Sequence, residues 1–438
     1  MAALRSSLVA IAVILAAPAA HAVGEEASGF PKWAERVEHE WTNRARCDPA
    51  VEMAKCGANC GEAACFSPKP PLHWNEQLNR AARFHSVHQR KNGYFGHDSK
   101  CKLVTSLKTT YPTTCDGEAS CSCEGGALSG TTSFSARVAV FGAGTSGEII
   151  AGSSDPNSAF YMWLYEPSSS ATCGFSMANG HRWLILTNSS GAVGYGVDGN
   201  STGDFGGGAA PYKIPSGAHY PRSGSSVELW ANWYDTAAPK AAMVNVGGTC
   251  HAMARQRGSD TNGAWMYAYA PTGLSGCTRY FFTFKDSTGA QIDYPTTGSL
   301  GIGDASCADW TDSRPAAGEG CDCAPSCGGR VCGDDGCGGS CGSCGGGQTC
   351  SGGKCVTPPP PDAGPKDSGA PDATGGDASA RDDASVPLGD GGFDPAGSAL
   401  DEPAQLEGSC GCRTPATGGS SPGLALVALA LVAARRRR

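Results

Sequence analysis

Apolar residues recur at Trp33, Val37 and Trp41 with charged residues between them, which predicts an amphipathic helix running from Pro31 to the Cys47-Asp48-Pro49 stretch. A second helix is predicted to open at Asn75, whose side chain can accept from the free amides of a first turn. Leu78, Ala81, Ala82 and His85 follow on one face. His85 on that face reads as a packed, hydrogen-bonded residue, whereas His73 and His88 are expected to face solvent. Gly194-Tyr195-Gly196-Val197 reads as the closing strand of a first domain, after which the chain turns glycine-rich from Gly199 to Gly208. Beyond Tyr212 the period changes to two. Val227, Leu229, Ala231 and Trp233 alternate, as do Trp265, Tyr267 and Tyr269, then Tyr280, Phe282 and Phe284, the pattern of a small β-sandwich whose aromatic residues serve its core.

Composition adds the compartment. Among 438 residues there are 23 cysteines and 63 glycines, a density that points to an oxidising environment and a disulfide framework. Cys47 to Cys65 holds four cysteines without a histidine, so bridges are expected there rather than a zinc knuckle. A second disulfide-tied loop is expected from Cys101 to Gly126, and Cys173 is expected in a bridge. Cys250 and Cys277 are expected to bridge the sandwich, and if Cys321 pairs back to Cys307, the eight cysteines that remain still allow about 105 connectivities. Cys321 to Cys355 lies in a glycine matrix with almost no large apolar residue, and only covalent bridges can hold such a module.

The ends of the chain read as addresses. Arg5, an apolar run from Leu8 to Ala17 and Ala20-His21-Ala22 form a secretory signal peptide that leaves Val23 as the mature N-terminus. Val356 to Gly408 is rich in Pro, Asp, Ala and Gly and reads as a solvated linker. Thr417 to Ala434 is uncharged and just long enough to span a membrane, with four arginines after it. The formal charge of -8 includes the eleven acids of the linker, and the nearly neutral remainder offers no footprint for nucleic acid. The expected division is a leader 1–22, a first domain 23–206, a β-sandwich 207–306, a Cys/Gly stalk 307–355, a linker 356–408 and a tail 409–438.

Candidate chemistry lies in four short contexts: Tyr94-Phe95-Gly96-His97-Asp98-Ser99, Ser146-Gly147-Glu148-Ile149, Trp163-Leu164-Tyr165-Glu166 and Gly180-His181-Arg182-Trp183-Leu184. Two imidazoles and two carboxylates suit Zn²⁺ or another borderline divalent ion, and the same groups could run acid-base chemistry. Taken in this order behind the Asn75 helix, the four contexts resemble the CAP superfamily (cysteine-rich secretory protein, antigen 5, pathogenesis-related), in its bacterial SCP-like form. The resemblance implies an α+β fold, with an α-β-α sandwich in the first domain. It places His97, Glu148, Glu166 and His181 around a central cleft able to hold a divalent metal, with catalysis not a general property of the family. Ile149 and Leu184 stand where such relatives carry amides, so looser ligands and weak, non-hydrolytic metal binding are expected. The tail resembles a myxobacterial C-terminal sorting signal, which implies processing near Cys410 and surface anchoring. The function expected is an exported, surface-anchored protein whose cleft takes a lipid, glycan or peptide ligand, with the membrane reached through the tail. The alternatives are a metal-dependent hydrolase and a structural envelope protein.

Overall fold

The computed structural model describes residues 23–168, 171–270, 276–315, 321, 327–333 and 341–357. The leader, most of the linker and the tail with Cys410 lie outside the described residues. Among the described residues no helix is long and apolar enough to cross a membrane.

The first part of the chain mixes helices and a sheet. Its helices are α1 (Trp33–Cys47), α2 (Pro49–Glu52), α3 (Glu76–Asn92), α4 (Leu107–Thr110), α5 (Ala119–Ser122), α6 (Phe134–Val140), α7 (Pro156–Leu164) and α8 (Gly180–Thr187). Four strands, β1 (His73–Trp74), β2 (Thr145–Ala151), β3 (Ala192–Asp198) and β4 (Asn200–Gly206), form one sheet in the order β1-β3-β4-β2. Local chemistry sets the helix ends. Asn75 Oδ1 accepts from Leu78 N at 3.0 Å to start α3, and Gly93 in the left-handed region ends it. Asp155 caps α7 through Ser158 N at 2.8 Å, with Pro156 in the first turn. Helix α3 lies directly on β3 because Gly194 and Gly196 present no side chain to its backbone.

Two further sheets follow. One has the order β5-β6-β10-β9, from β5 (Gly217–Tyr220), β6 (Val227–Tyr234), β9 (Ala254–Gly258) and β10 (Asn262–Tyr269). The other runs β14-β13-β11-β7-β8, with β12 paired to β11. Its strands are β7 (Ala241–Val246), β8 (Thr249–Ala252), β11 (Thr278–Lys285), β12 (Gln291–Tyr294), β13 (Ser299–Ile302) and β14 (Trp310–Thr311). The alternating residues Leu229, Ala231, Trp233, Val244, Phe282 and Phe284 bury one core between the sheets.

Three expectations need correction. Helix α1 is not half exposed: thirteen of its fifteen residues are buried, because β5, β6 and β10 pack on it in addition to α2, α7, α8 and β3. Glu35 pairs with Arg83, Arg44 with Glu52, and Glu40 accepts from Asn232 Nδ2 at 2.6 Å. The Arg44 guanidinium lies 3.9 Å from the centre of the Trp41 ring and 4.8 Å from that of Trp230. The bridges differ as well. Cys250 joins Cys321 and Cys277 joins Cys307, so the cysteine module is tied to the sandwich by Cys250 rather than by Cys307. Cys47 is a free, buried thiol beside Cys56–Cys60 and Cys65–Cys173. Third, His88 is fully buried, with Nδ1 bonded to the Tyr94 hydroxyl at 2.6 Å, and His73 is half-buried. Both histidines pack because the loop after α3 and the sheet edge fold over them. In the cysteine module, Cys327–Cys341, Cys332–Cys350 and Cys344–Cys355 are bridged beside a small hairpin of β15 (Thr349–Ser351) and β16 (Lys354–Val356).

The buried acids of α1 give a pH-dependent prediction. Burial pushes the Glu40 carboxyl up to about 7 against the hydrogen bonds from Ser216 and Asn232, and its Oε2 has no partner. The folded state therefore holds the proton more tightly than the unfolded chain, so this group costs stability as pH rises from the usual carboxylate range through 7. Glu40→Gln should stabilise the protein by roughly 3 kcal/mol at pH 8 and change little at pH 4. Urea unfolding at both pH values checks it, and an equal shift at the two would contradict the cause.

Candidate functional site

The structure sorts the four residues into two carboxylate–imidazole pairs. In the first, the turn after α3 presents His97, whose Nδ1 lies 2.9 Å from Glu148 Oε1 on β2. The other carboxylate oxygen, Glu148 Oε2, accepts from Arg137 Nη2 on α6. Arg137 also donates through Nη1 to the His97 carbonyl at 2.9 Å and to Ser99 Oγ at 3.2 Å. One buried guanidinium thus fixes both members of the pair. His85 supports the same turn from α3 through a 2.8 Å bond between Nε2 and the Gly96 carbonyl, the packed and hydrogen-bonded role expected of it.

The second pair is built on the start of α8. Glu166 follows α7, and its Oε2 lies 2.6 Å from His181 Nδ1. Its Oε1 accepts from the Arg182 amide at 2.9 Å. A first-turn amide of α8 would otherwise have no intrahelical acceptor, so the Glu166 carboxylate caps the helix and orients the imidazole together. The His181 side chain is 4% exposed, and its Nε2 is buried without a hydrogen-bond partner.

The electrostatics of the two pairs differ. Asp204 on β4 stands opposite Glu148 in the sheet register. Burial first, and then the neighbouring Glu148, raise the Asp204 carboxyl well above the usual range. Burial likewise pushes Glu148 up to about 7, against the pull of Arg137. One guanidinium thus faces two buried acids, and burial together with their mutual repulsion favours the protonated form of the pair.

The arrangement differs from the closed four-donor sphere expected for a metal. Each glutamate spends both carboxylate oxygens on protein donors, and among the described residues the four do not bring three ligand atoms within 4.8 Å of one another. In both rings Nδ1 is engaged by a carboxylate, so Nε2 is the nitrogen each can offer to an ion. Two other groups are possible His/Cys metal sites by proximity, His88 with Cys101 and Cys123, and Cys332 with Cys344 and Cys355. All of these cysteines are in disulfides, and a thiolate forms only if a bridge opens.

Sequence reasoning missed Asp204 and Glu62. The first is a lone acid in a strand whose neighbours are all buried, a signal the residue pattern does carry. The second has no local signal, because its partner Arg182 is distant in the chain. A cavity of about 580 Å3 lies beside the site rather than at it, where Ser146, Ser190, Asn75 and Gln77 meet the Gly142–Gly144 and Gly206–Gly208 turns.

A comparison with curated proteins finds no match for the chain. Residues 67–212, which hold both carboxylate–imidazole pairs and the sheet that carries them, match the model of the cysteine-rich secretory protein family, CAP, and this supports the CAP superfamily for that segment.

Proposed function

We propose that this protein is exported and held at the cell surface, and that its CAP-type domain binds a ligand, with a divalent ion taken by His97 and His181. The observation that carries the reading is the buried His181 Nε2, which has no hydrogen-bond partner while Nδ1 of the same ring is fixed by a carboxylate. A histidine with its far nitrogen held by a carboxylate is the arrangement that orients a metal ligand and raises its basicity. An imidazole pair suits zinc or a similar borderline ion, and supplies a positive centre for a carboxylate, carbonyl or phosphate of the ligand. Exposed Phe95, beside His97 in the chain, and Phe175 and Met177, ahead of His181, suit a ligand that also has apolar surface.

Binding is favoured over hydrolysis by the use of the glutamates. Both oxygens of each already accept from a protein donor, a use that orients imidazoles. Export is supported by the leader pattern and by the bridges of the described chain, and surface anchoring by the pattern of the tail. The test of binding is calorimetric titration of zinc into the full secreted chain and into its His97→Ala, His181→Ala double variant. Heat in the first and at least a hundredfold weaker binding in the second is expected. Equal binding by the two proteins would contradict the reading.

A further inference from the structure

We propose that Glu62, which lies outside the family-matched segment, is a positioning residue for His181, acting through Arg182 and Glu166. The inference rests on the reading of His181 as a binding residue.

The segment between α2 and β1 carries two single-turn helices, Gly57–Asn59 and Ala63–Cys65, and is stapled by Cys56–Cys60 and by Cys65–Cys173. It runs against the chain just after Glu166: Ser168 N donates to the Asn59 carbonyl at 2.8 Å, and Gly61 N donates to the Ser168 carbonyl at 3.0 Å. Arg182 closes the gap between the two. Its Nε donates to Glu62 Oε1 at 3.2 Å, and Nη1 donates to Cys60 Sγ at 3.0 Å. Nη2 donates to the Asn59 carbonyl at 3.3 Å, while Nη1 and Nη2 both reach the Glu166 carbonyl, at 3.0 and 2.5 Å. Both charged side chains, Arg182 and Glu62, are fully buried.

The charge balance gives the mechanism. Glu62 is the carboxylate in hydrogen-bond contact with the Arg182 guanidinium, and a buried cation cannot stay unpaired. With Glu62 neutralised, the nearest replacement is the Glu166 carboxylate, whose own carbonyl the guanidinium already holds. A swing of that carboxylate toward the guanidinium takes its oxygen away from His181 Nδ1. His181 then loses the acceptor that keeps the proton on Nδ1 and the lone pair on Nε2. His97 is untouched by this change, because its carboxylate is paired to Arg137 on a different helix.

The test is long-range nitrogen–proton correlation of the imidazoles in the metal-free full chain at pH 8, comparing wild type with Glu62→Gln. The wild type should show His181 with its proton on Nδ1. Glu62→Gln should move the His181 nitrogens toward a tautomer mixture and leave those of His97 in place, with zinc affinity reduced about tenfold or more. If Glu62→Gln is not secreted in folded form, Glu62→Asp is read in the same way and should move His181 less in the same direction. An unchanged His181 tautomer would overturn the proposal, as would equal changes at His97 and His181, which would mark a general loosening. A His181 shift in a protein that binds no zinc would support the positioning role and remove the metal reading instead.

Discussion

Replacing Gly196 by alanine should destabilise the first domain by at least about 4 kcal/mol and keep it from accumulating in folded form. The added Cβ would fall on the backbone of Arg83 and Ala82 in α3, atoms that cannot rotate out of the way. The same ridge carries Gly194 against Asn79 and Leu78, so the helix has no route to slide along the strand. Separation would also break the bond from Ser86 Oγ to the Gly196 carbonyl, 2.8 Å long and fully buried. Gly207→Ala is the control. Its Cβ would meet only the Ser190 carbonyl at 3.5 Å, an ordinary contact, and stability should change by no more than about 0.5 kcal/mol. Urea unfolding compares the two, and similar losses would show that the α3–β3 contact is not as close as described.

The second large effect concerns Cys65–Cys173. This bridge spans 108 residues and joins the insertion ahead of β1 to the loop ahead of α8. By the chain-entropy relation, opening a loop of about that size costs about 4.7 kcal/mol, whereas opening Cys56–Cys60, four residues apart, costs about 2 kcal/mol. The double variant Cys65→Ser, Cys173→Ser should therefore unfold at clearly lower denaturant than Cys56→Ser, Cys60→Ser. The reverse order would mean that the native contacts of the Cys56–Cys60 turn, including its bond to buried Arg182, outweigh loop closure.

What the sequence made legible follows from how local each signal is. Asn75, Leu78 and Ala82 announce α3 because a cap and a helical period are set within one segment, and the alternation of Leu229, Ala231 and Trp233 announces a sandwich strand for the same reason. The period could not reveal that α1 is buried all round. The partners that neutralise its charges, Arg83, Glu52 and Asn232, come from three other elements. Trp230 and Asn232 make the same point from the other side. They occupy the face of β6 that alternation assigns to solvent, and α1 covers it.

The site was legible to a similar depth. The four residues stand in recognisable contexts, yet which atoms they spend on one another depends on the first turn of α8 and on the seat of Arg137. Counting ligands by residue type suggested a closed sphere of four donors. The geometry instead commits both glutamates to holding imidazoles. Ile149 and Leu184 now have a physical reading as well: both are buried in the core, Leu184 filling the space that Gly147 leaves open, so apolar packing takes the place of amides there.

The central claim is that His97 and His181 serve one binding site. Anomalous diffraction at the zinc edge, from crystals of the full chain grown with zinc, tests it most directly. One peak about 2.0–2.1 Å from Nε2 of both imidazoles is the predicted result. A peak bound to one histidine alone, to the glutamates without the imidazoles, or at neither pair would contradict it.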